Sequence, residues 1–339
     1  MKYRALGRTG LQVSELGVGT LTFGRGAGAL AKVDQPTADR MVHRALDAGV
    51  NLFDTADNYH AGQSEEILGH ALGERRADVL VSTKVGGRVS NRVNSGGLSY
   101  AHIVASCETS AQRLGTDWID ILNVAEPDPQ TPFEETARAL DDVVRRGLVR
   151  YVGFSHFPAW EAALAIGSQW AHNLRPFSTI VQYYSLVGRE AERDVLPLAE
   201  RAGLGVIVAS PLAGGFLTGK YDRSGGTIED RRTAWPFPAV DATTGHAVTE
   251  TLRGVSHELD ATPAQVAIAW LLTRPVVSSV LIGASSIRQL YENIRASEFT
   301  LTEDHQRRLD ALVAVPTPDS DAWRAVFFDD DVLDELRLP

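Results

Sequence analysis

Two hydrophobic rhythms alternate along the chain. Near-continuous apolar runs occupy residues 16–20, 51–54, 79–84, 118–124, 150–154, 179–182, 205–209 and 279–282. Between and after them, apolar positions recur every three to four residues over 37–48, 64–72, 101–114, 132–146, 159–166, 192–202, 249–259, 263–272 and 287–296. The first rhythm predicts strands buried on both faces, as in a parallel sheet. The second predicts amphipathic helices that cover them. Ahead of both, residues 3–19 read as two short apolar runs around Gly7-Arg8-Thr9-Gly10, a hairpin signal. So many strand–helix units favour a closed (β/α)8 TIM barrel with an N-terminal hairpin over a doubly wound sheet.

Three long irregular stretches, 23–35, 86–99 and 212–245, each follow a strand. In a barrel all three rise from the C-terminal face, where active sites sit. No composition break divides the chain, so residues 1–339 read as a single barrel domain. Residues 316–339 form an acidic C-terminal tail with Asp329, Asp330 and Asp331, in which Trp323, Phe327 and Phe328 read as packing residues.

Composition narrows the function. The 339 residues are 44% hydrophobic and 22% charged, ordinary values for a chain with a large core. A net charge of −10 argues against nucleic-acid or anionic-membrane partners. Cys107 is the only cysteine, which excludes an intrachain disulfide and a cysteine zinc site. With no apolar leader and no membrane-length run, a cytoplasmic protein acting on a small-molecule substrate is expected. Homo-oligomer formation is compatible with all of this.

Individual motifs are mostly negative. No His-Glu-x-x-His occurs, and Asp54, Asp57 and His60 form the nearest approach to a metal cluster, so no metal is expected. Gly17-Val-Gly19 lacks the third glycine and the helix of a dinucleotide fingerprint, and Gly-x-Ser-x-Gly is absent. The stronger signal is distributed. Asp54 ends a strand, Tyr59 lies in the loop after it, and Lys84 ends the next strand. Lys84 is one of only four lysines. A barrel brings these three to one rim. There a lysine beside the phenol is expected to lower its pKa from about 10, and an aspartate to orient the lysine. Such a tyrosine donates a proton to a carbonyl oxygen. Taken singly, each residue reads as structural rather than catalytic, Lys84 as a rim salt bridge, and it is their joint placement that points to chemistry.

Longer motifs carry a resemblance. Asn51-Leu-Phe-Asp54-Thr55-Ala56-Asp-Asn-Tyr59, followed by Gly62-Gln-Ser64-Glu65, and Val81-Ser82-Thr83-Lys84 resemble signatures of the aldo-keto reductase superfamily. The segments running from Ser210-Pro211-Leu212 through Gly214 to Lys220, and from Gly283 through Ser285, Arg288, Gln289 and Glu292 to Asn293, resemble its pyrophosphate loop and its adenosine and 2′-phosphate site. The resemblance implies Asp54, Tyr59 and Lys84 as catalytic residues and NADPH as cofactor. It implies further cofactor contacts at Gly19, Thr20, Ser155, His156 and Gln182.

The chain also departs from that pattern. The family's catalytic histidine aligns with Ala125, ahead of Glu126-Pro127-Asp128-Pro129, and its nicotinamide-stacking ring before Ser-Pro-Leu aligns with Ala209. Ser155-His156 replaces the usual Ser-Asn, and Gln182 stands one place nearer Tyr184-Ser185-Leu186 than is common. Strand alternation points Glu126 away from the site if Ala125 faces in. His156 reads either as a substitute for the amide-binding asparagine or as a replacement hydrogen-bond donor. The expected activity is NADPH-dependent reduction of a bulky carbonyl compound, with Phe23, Trp235, Phe237, Trp323 and Phe327 as candidate pocket walls. Non-redox acid–base chemistry, or a cofactor-holding regulatory subunit like the potassium-channel β subunits, remain the alternatives.

Overall fold

The computed structural model describes residues 1–25, 30–221 and 238–315. β1 (Tyr3–Ala5) and β2 (Gln12–Ser14) form the antiparallel hairpin. Eight parallel strands follow: β3 (Leu16–Gly19), β4 (Leu52–Asp54), β5 (Leu80–Val85), β6 (Ile119–Val124), β7 (Val149–Ser155), β8 (Phe177–Tyr183), β9 (Gly205–Ala209) and β10 (Val277–Gly283). They pair in chain order, and β10 closes on β3. This is the expected (β/α)8 barrel.

Alternate residues of each strand face the barrel axis. Leu52, Ile121, Val181 and Leu281, from alternating strands, meet Leu6 and Val13 of the hairpin in one apolar layer. The hairpin therefore plugs the N-terminal end. Arg4 pins it there by donating to Leu272 O (2.6 Å) and Val277 O (2.9 Å). Gly7 adopts φ +57°, and a Cβ on it would stand 2.4 Å from Gly203 O, so only glycine fits that turn. The opposite end of the barrel is left for chemistry.

The helices lie where the 3.6-residue rhythm put them, with informative exceptions. Helix Ala242–Glu258 starts inside the stretch expected to be irregular. Asp241 caps it by accepting from Thr244 N (2.8 Å), but its first turn carries no apolar period to announce it. Residues Ala213–Thr218 of the same stretch form a 3-10 turn. Helix Glu303–Asp310, with His305 and Leu309 its only buried residues, escaped the pattern entirely. Among the described residues no helix is long and apolar enough to cross a membrane.

One expected wall residue is corrected. Phe23 is fully buried in the core, where its segment bridges to Val33, so it lines no open pocket. Trp235, Phe237, Trp323, Phe327 and the tail from residue 316 lie outside the described residues.

Candidate active site

Asp54 and Lys84 meet at the C-terminal mouth of the barrel. The Lys84 ammonium is bonded to Asp54 Oδ2 and donates to Thr55 O (3.0 Å). Tyr59 joins them from the loop after β4, its ring centroid 5.4 Å from Lys84 Nζ. Tight local constraints place that loop. Beyond Tyr59 the backbone turns left-handed at His60 (φ 51°), Ala61 (φ 58°) and Gly62 (φ 94°). A Cβ on Gly62 would stand 2.2 Å from the Arg113 guanidinium. Arg113 itself donates to Asp57 O (3.0 Å) and to buried Glu65 (3.1 Å), while Thr83 holds the other oxygen of Glu65 (2.7 Å). Consecutive left-handed non-glycine residues are costly and persist where surroundings over-determine them.

Beneath the site runs a polar chain that the sequence reading missed. Ser82 donates to Asp54 Oδ1 (2.8 Å), Asn123 Nδ2 to Ser82 Oγ (3.0 Å), and Thr179 to Asn123 Oδ1 (2.8 Å). These residues sit on β4, β5, β6 and β8, and Gly153 of β7 makes the room between them. Each bonded partner is fixed, so the Asp54 carboxylate is held in one orientation. The only signal in the sequence was a polar residue at alternate positions of otherwise apolar strands.

The electrostatics correct one expectation. Desolvation pulls the Lys84 ammonium down, but Asp54 and Tyr59 outweigh it and hold it above the ordinary lysine range. Burial pushes the Tyr59 phenol up, Lys84 pulls it down, and Asp54 adds to the rise. The net shift is upward, not downward as expected. With the lysine's pull opposed by Asp54, desolvation wins. Tyr59 is therefore a protonated acid at neutral pH, with a cation placed to receive its phenolate.

Around this centre the mouth is partly small and partly polar. Ala125 continues the inward-facing register of Ile121 and Asn123 along β6, and Glu126 is exposed beyond it. Gly86 lies beside Ala125, where a Cβ on the glycine would come 3.9 Å from that of Ala125. Ser155 Oγ is buried here without a hydrogen-bond partner, whereas Gln182, expected as a cofactor contact, pairs in register with Val208 of the outer core and so turns away from the mouth. His156 has a left-handed backbone (φ 55°) and its N–H donates to Val181 O (3.0 Å). Its outer edge meets solvent. Even so, desolvation by the mouth and then the charge of Lys84 hold the imidazole down at about 4, so it is neutral at pH 7.

The other expected contacts divide. Thr20 turns its hydroxyl to Asp54 O (3.1 Å) and to Ser64 of the covering helix (2.8 Å), where it braces the end of β3 next to Gly19. Ser210, Ala213, Gly214 and Gly215 take positive φ, so the segment from Pro211 and Leu212 towards Lys220 curls back on itself. Beyond β10, the Ser285 N–H and hydroxyl both bond Gln289 Oε1 (2.9 Å), and Asn293 donates to Gly283 O (3.4 Å). Arg288 is exposed on the first turn of helix Ile287–Ile294, 3.8 Å from Glu292. Among the described residues no group of three or more His, Cys, Asp or Glu is placed to hold a metal ion.

Comparison with known proteins agrees with this geometry. Residues 15–314 match the model of the aldo/keto reductase family. An uncharacterized oxidoreductase of Bacillus subtilis, YrpG, is 36% identical over 95% of this chain and 100% of its own. A probable voltage-gated potassium channel subunit beta of Oryza sativa is 37% identical, covering 96% and 100%. A putative subunit of the same kind from Schizosaccharomyces pombe is 35% identical, covering 92% and 93%. A barrel with this site at its mouth, matched over most of its length, belongs to the aldo/keto reductase family, a family of oxidoreductases.

Proposed function

We propose that the chain reduces an aldehyde or ketone with NADPH, using Tyr59 as proton donor. The observation that carries this reading is the buried Asp54–Lys84 pair set against the Tyr59 ring. The family typically uses NADP(H), and the residues at the mouth fit it. Ser155 Oγ, on the inward register of Gly153, is buried and unpartnered, as a group awaiting an amide would be. His156 follows it in the chain. The curled segment 210–220 and the polar turn at Ser285, Arg288 and Gln289 would hold phosphate-bearing parts of the same molecule.

When bound, the reduced cofactor supplies the hydride. Tyr59 gives its phenolic proton to the carbonyl oxygen, so carbon gains a hydride, oxygen gains a proton, and an alcohol results. The Lys84 ammonium holds the phenolate left behind, and Asp54 keeps that ammonium charged and aimed. Solvent then reprotonates Tyr59. The usual second donor is missing at Ala125, and neutral His156, within the field of Lys84, is the side chain we assign to that task. Small residues at Gly86, Ala125 and Ala209 favour a bulky substrate.

A second reading is a cofactor-holding regulatory subunit with slow turnover. Ala125 and the likeness to potassium channel β subunits favour it. The test is NADPH and NADH binding followed in tryptophan fluorescence, then turnover with a panel of aldehydes and ketones. Tight NADPH binding with turnover supports the reductase, and tight binding without turnover supports the regulatory reading. Binding of neither nucleotide contradicts both.

A further inference from the structure

Tyr59 and Lys84 work as a unit, yet they reach the mouth on different segments, the loop after β4 and the end of β5. Past Asp54 the chain keeps pace with β5: Thr55 N–H donates to Ser82 O (2.8 Å) and Asp57 N–H to Lys84 O (3.1 Å). It then leaves the strand, and Tyr59 follows two residues on. Asp57 is thus where the segment carrying the acid parts from the strand carrying the lysine.

Arg113 holds that point from outside the barrel. It ends helix Tyr100–Arg113, and its Nη1 donates twice, to Asp57 O (3.0 Å) and to Glu65 Oε2 (3.1 Å). Glu65, in the first turn of helix Gln63–Leu72, is fully buried, and its other oxygen accepts from Thr83 (2.7 Å). Ser82 and Lys84 both bond Asp54 inside the barrel, so Thr83 between them faces the helix layer. The bonds close a ring: Lys84 to Asp57 through the backbone, Asp57 to Arg113, Arg113 to Glu65, and Glu65 to Thr83 beside Lys84. Gly62 leaves the space that the guanidinium fills, since a Cβ there would stand 2.2 Å from its carbon.

We propose that Arg113 is a positioning residue for the proton transfer, setting the place of the Tyr59 hydroxyl relative to Lys84 through Asp57 and Glu65. Neutralising the buried Glu65 carboxylate needs only a nearby cation. Arg113 does more, because one nitrogen divides its two N–H groups between that carboxylate and a main-chain carbonyl of the catalytic loop. Lysine carries its charge one atom short of that nitrogen. Arg113→Lys therefore keeps a cation beside Glu65 and gives up the Asp57 bond. This inference rests on the reductase reading above.

The test compares Arg113→Ala and Arg113→Lys with Arg76→Ala, folding being checked by circular dichroism. Arg76 forms a buried ion pair of the same kind with Asp120 (2.7 Å), near the start of β6 and far from the mouth. Its loss shows what removing such a pair does by itself. Single-turnover oxidation of bound NADPH by an aldehyde should slow about 10–10²-fold in Arg113→Ala, the cost of a small misplacement, with NADPH affinity unchanged. Arg113→Lys should slow less, and Arg76→Ala should keep the parent's rate. A second readout needs no turnover: NMR of protein labelled at the tyrosine ζ-carbon, with the Tyr59 signal assigned by its loss in Tyr59→Phe. That signal should shift in both Arg113 variants and stay in place in Arg76→Ala. If Arg113→Ala does not fold, Arg113→Lys carries both readouts. An Arg113 variant with the parent's rate or the parent's Tyr59 signal overturns the positioning role, as does an equal change in Arg76→Ala. If the parent oxidises no NADPH, the reductase reading falls, and the Tyr59 signal alone decides whether Arg113 sets that residue's place.

Discussion

Thr179 donates a 2.8 Å hydrogen bond to Asn123 across the barrel interior, over the place where Gly153 has no side chain. A Cβ at Gly153 would lie 1.9 Å from Thr179 Oγ1 and 2.2 Å from Asn123 Oδ1. This glycine thus admits the polar chain that reaches Asp54. Gly153→Ala is expected to destabilise the fold by about 1–3 kcal/mol through overpacking, with more lost if the chain breaks. Urea unfolding measures it. A variant of unchanged stability would show that the interior absorbs a methyl group without disturbing the chain.

Lys84 and Asp54 are both buried, at 7% and 3% exposure, so removing one strands the other. Lys84→Met should cost about 3–5 kcal/mol in unfolding free energy, because an uncompensated carboxylate remains. Lys84→Met combined with Asp54→Asn should recover part of that loss. Thermal and urea unfolding of the two variants give the comparison, and equal losses would argue against a coupled pair.

Ala125 occupies the inward position at the end of β6 with Gly86 beside it, so the mouth has room for an imidazole there. Ala125→His should raise kcat/KM for small aldehydes by about tenfold or more, as an added carbonyl donor does. Bulky ketones should gain less or lose. Steady-state kinetics on both classes checks the prediction. No change for either would mean that the substrate carbonyl does not reach this end of β6.

Asp57 is buried behind the catalytic loop with one oxygen unpartnered. Burial and then the charge of Glu65 raise its carboxyl to about 7, against help from Ser106 and Arg113. Between pH 4 and 7 the folded chain binds more protons here than the unfolded one, so this residue makes stability fall as pH rises. Asp57→Asn removes that dependence. Its advantage over the parent should grow by about 2 kcal/mol from pH 5 to pH 8. Unfolding at the two pH values reads it, and an advantage independent of pH would place the carboxyl in a better-solvated setting.

Much of this fold was legible because parallel strands buried on both faces leave unbroken apolar runs. The eight strands fell within a residue or two of their expected ends. The start of helix Ala242–Glu258 was not legible, since its first turn, Ala-Thr-Thr-Gly, has no apolar face. Asp54, Tyr59 and Lys84 were legible as strand-end residues of a shared rim. Ser82, Asn123 and Thr179 were not, because a single polar residue in an apolar strand reads as facing either way until the register is known. The upward shift of Tyr59 was hidden for a related reason: a sequence names the neighbouring charge but not the depth of burial that opposes it.

The account turns on Tyr59 as the acid, and the most direct measurement is single-turnover oxidation of bound NADPH by an aldehyde, parent against Tyr59→Phe. The phenolic hydroxyl is all that this variant loses, and the ring stays, so NADPH affinity should stay unchanged. The rate of nicotinamide oxidation should fall by about 10²–10⁴-fold, the usual worth of a general acid. A variant that binds NADPH as the parent does and oxidises it at the parent's rate would remove Tyr59 from the chemistry.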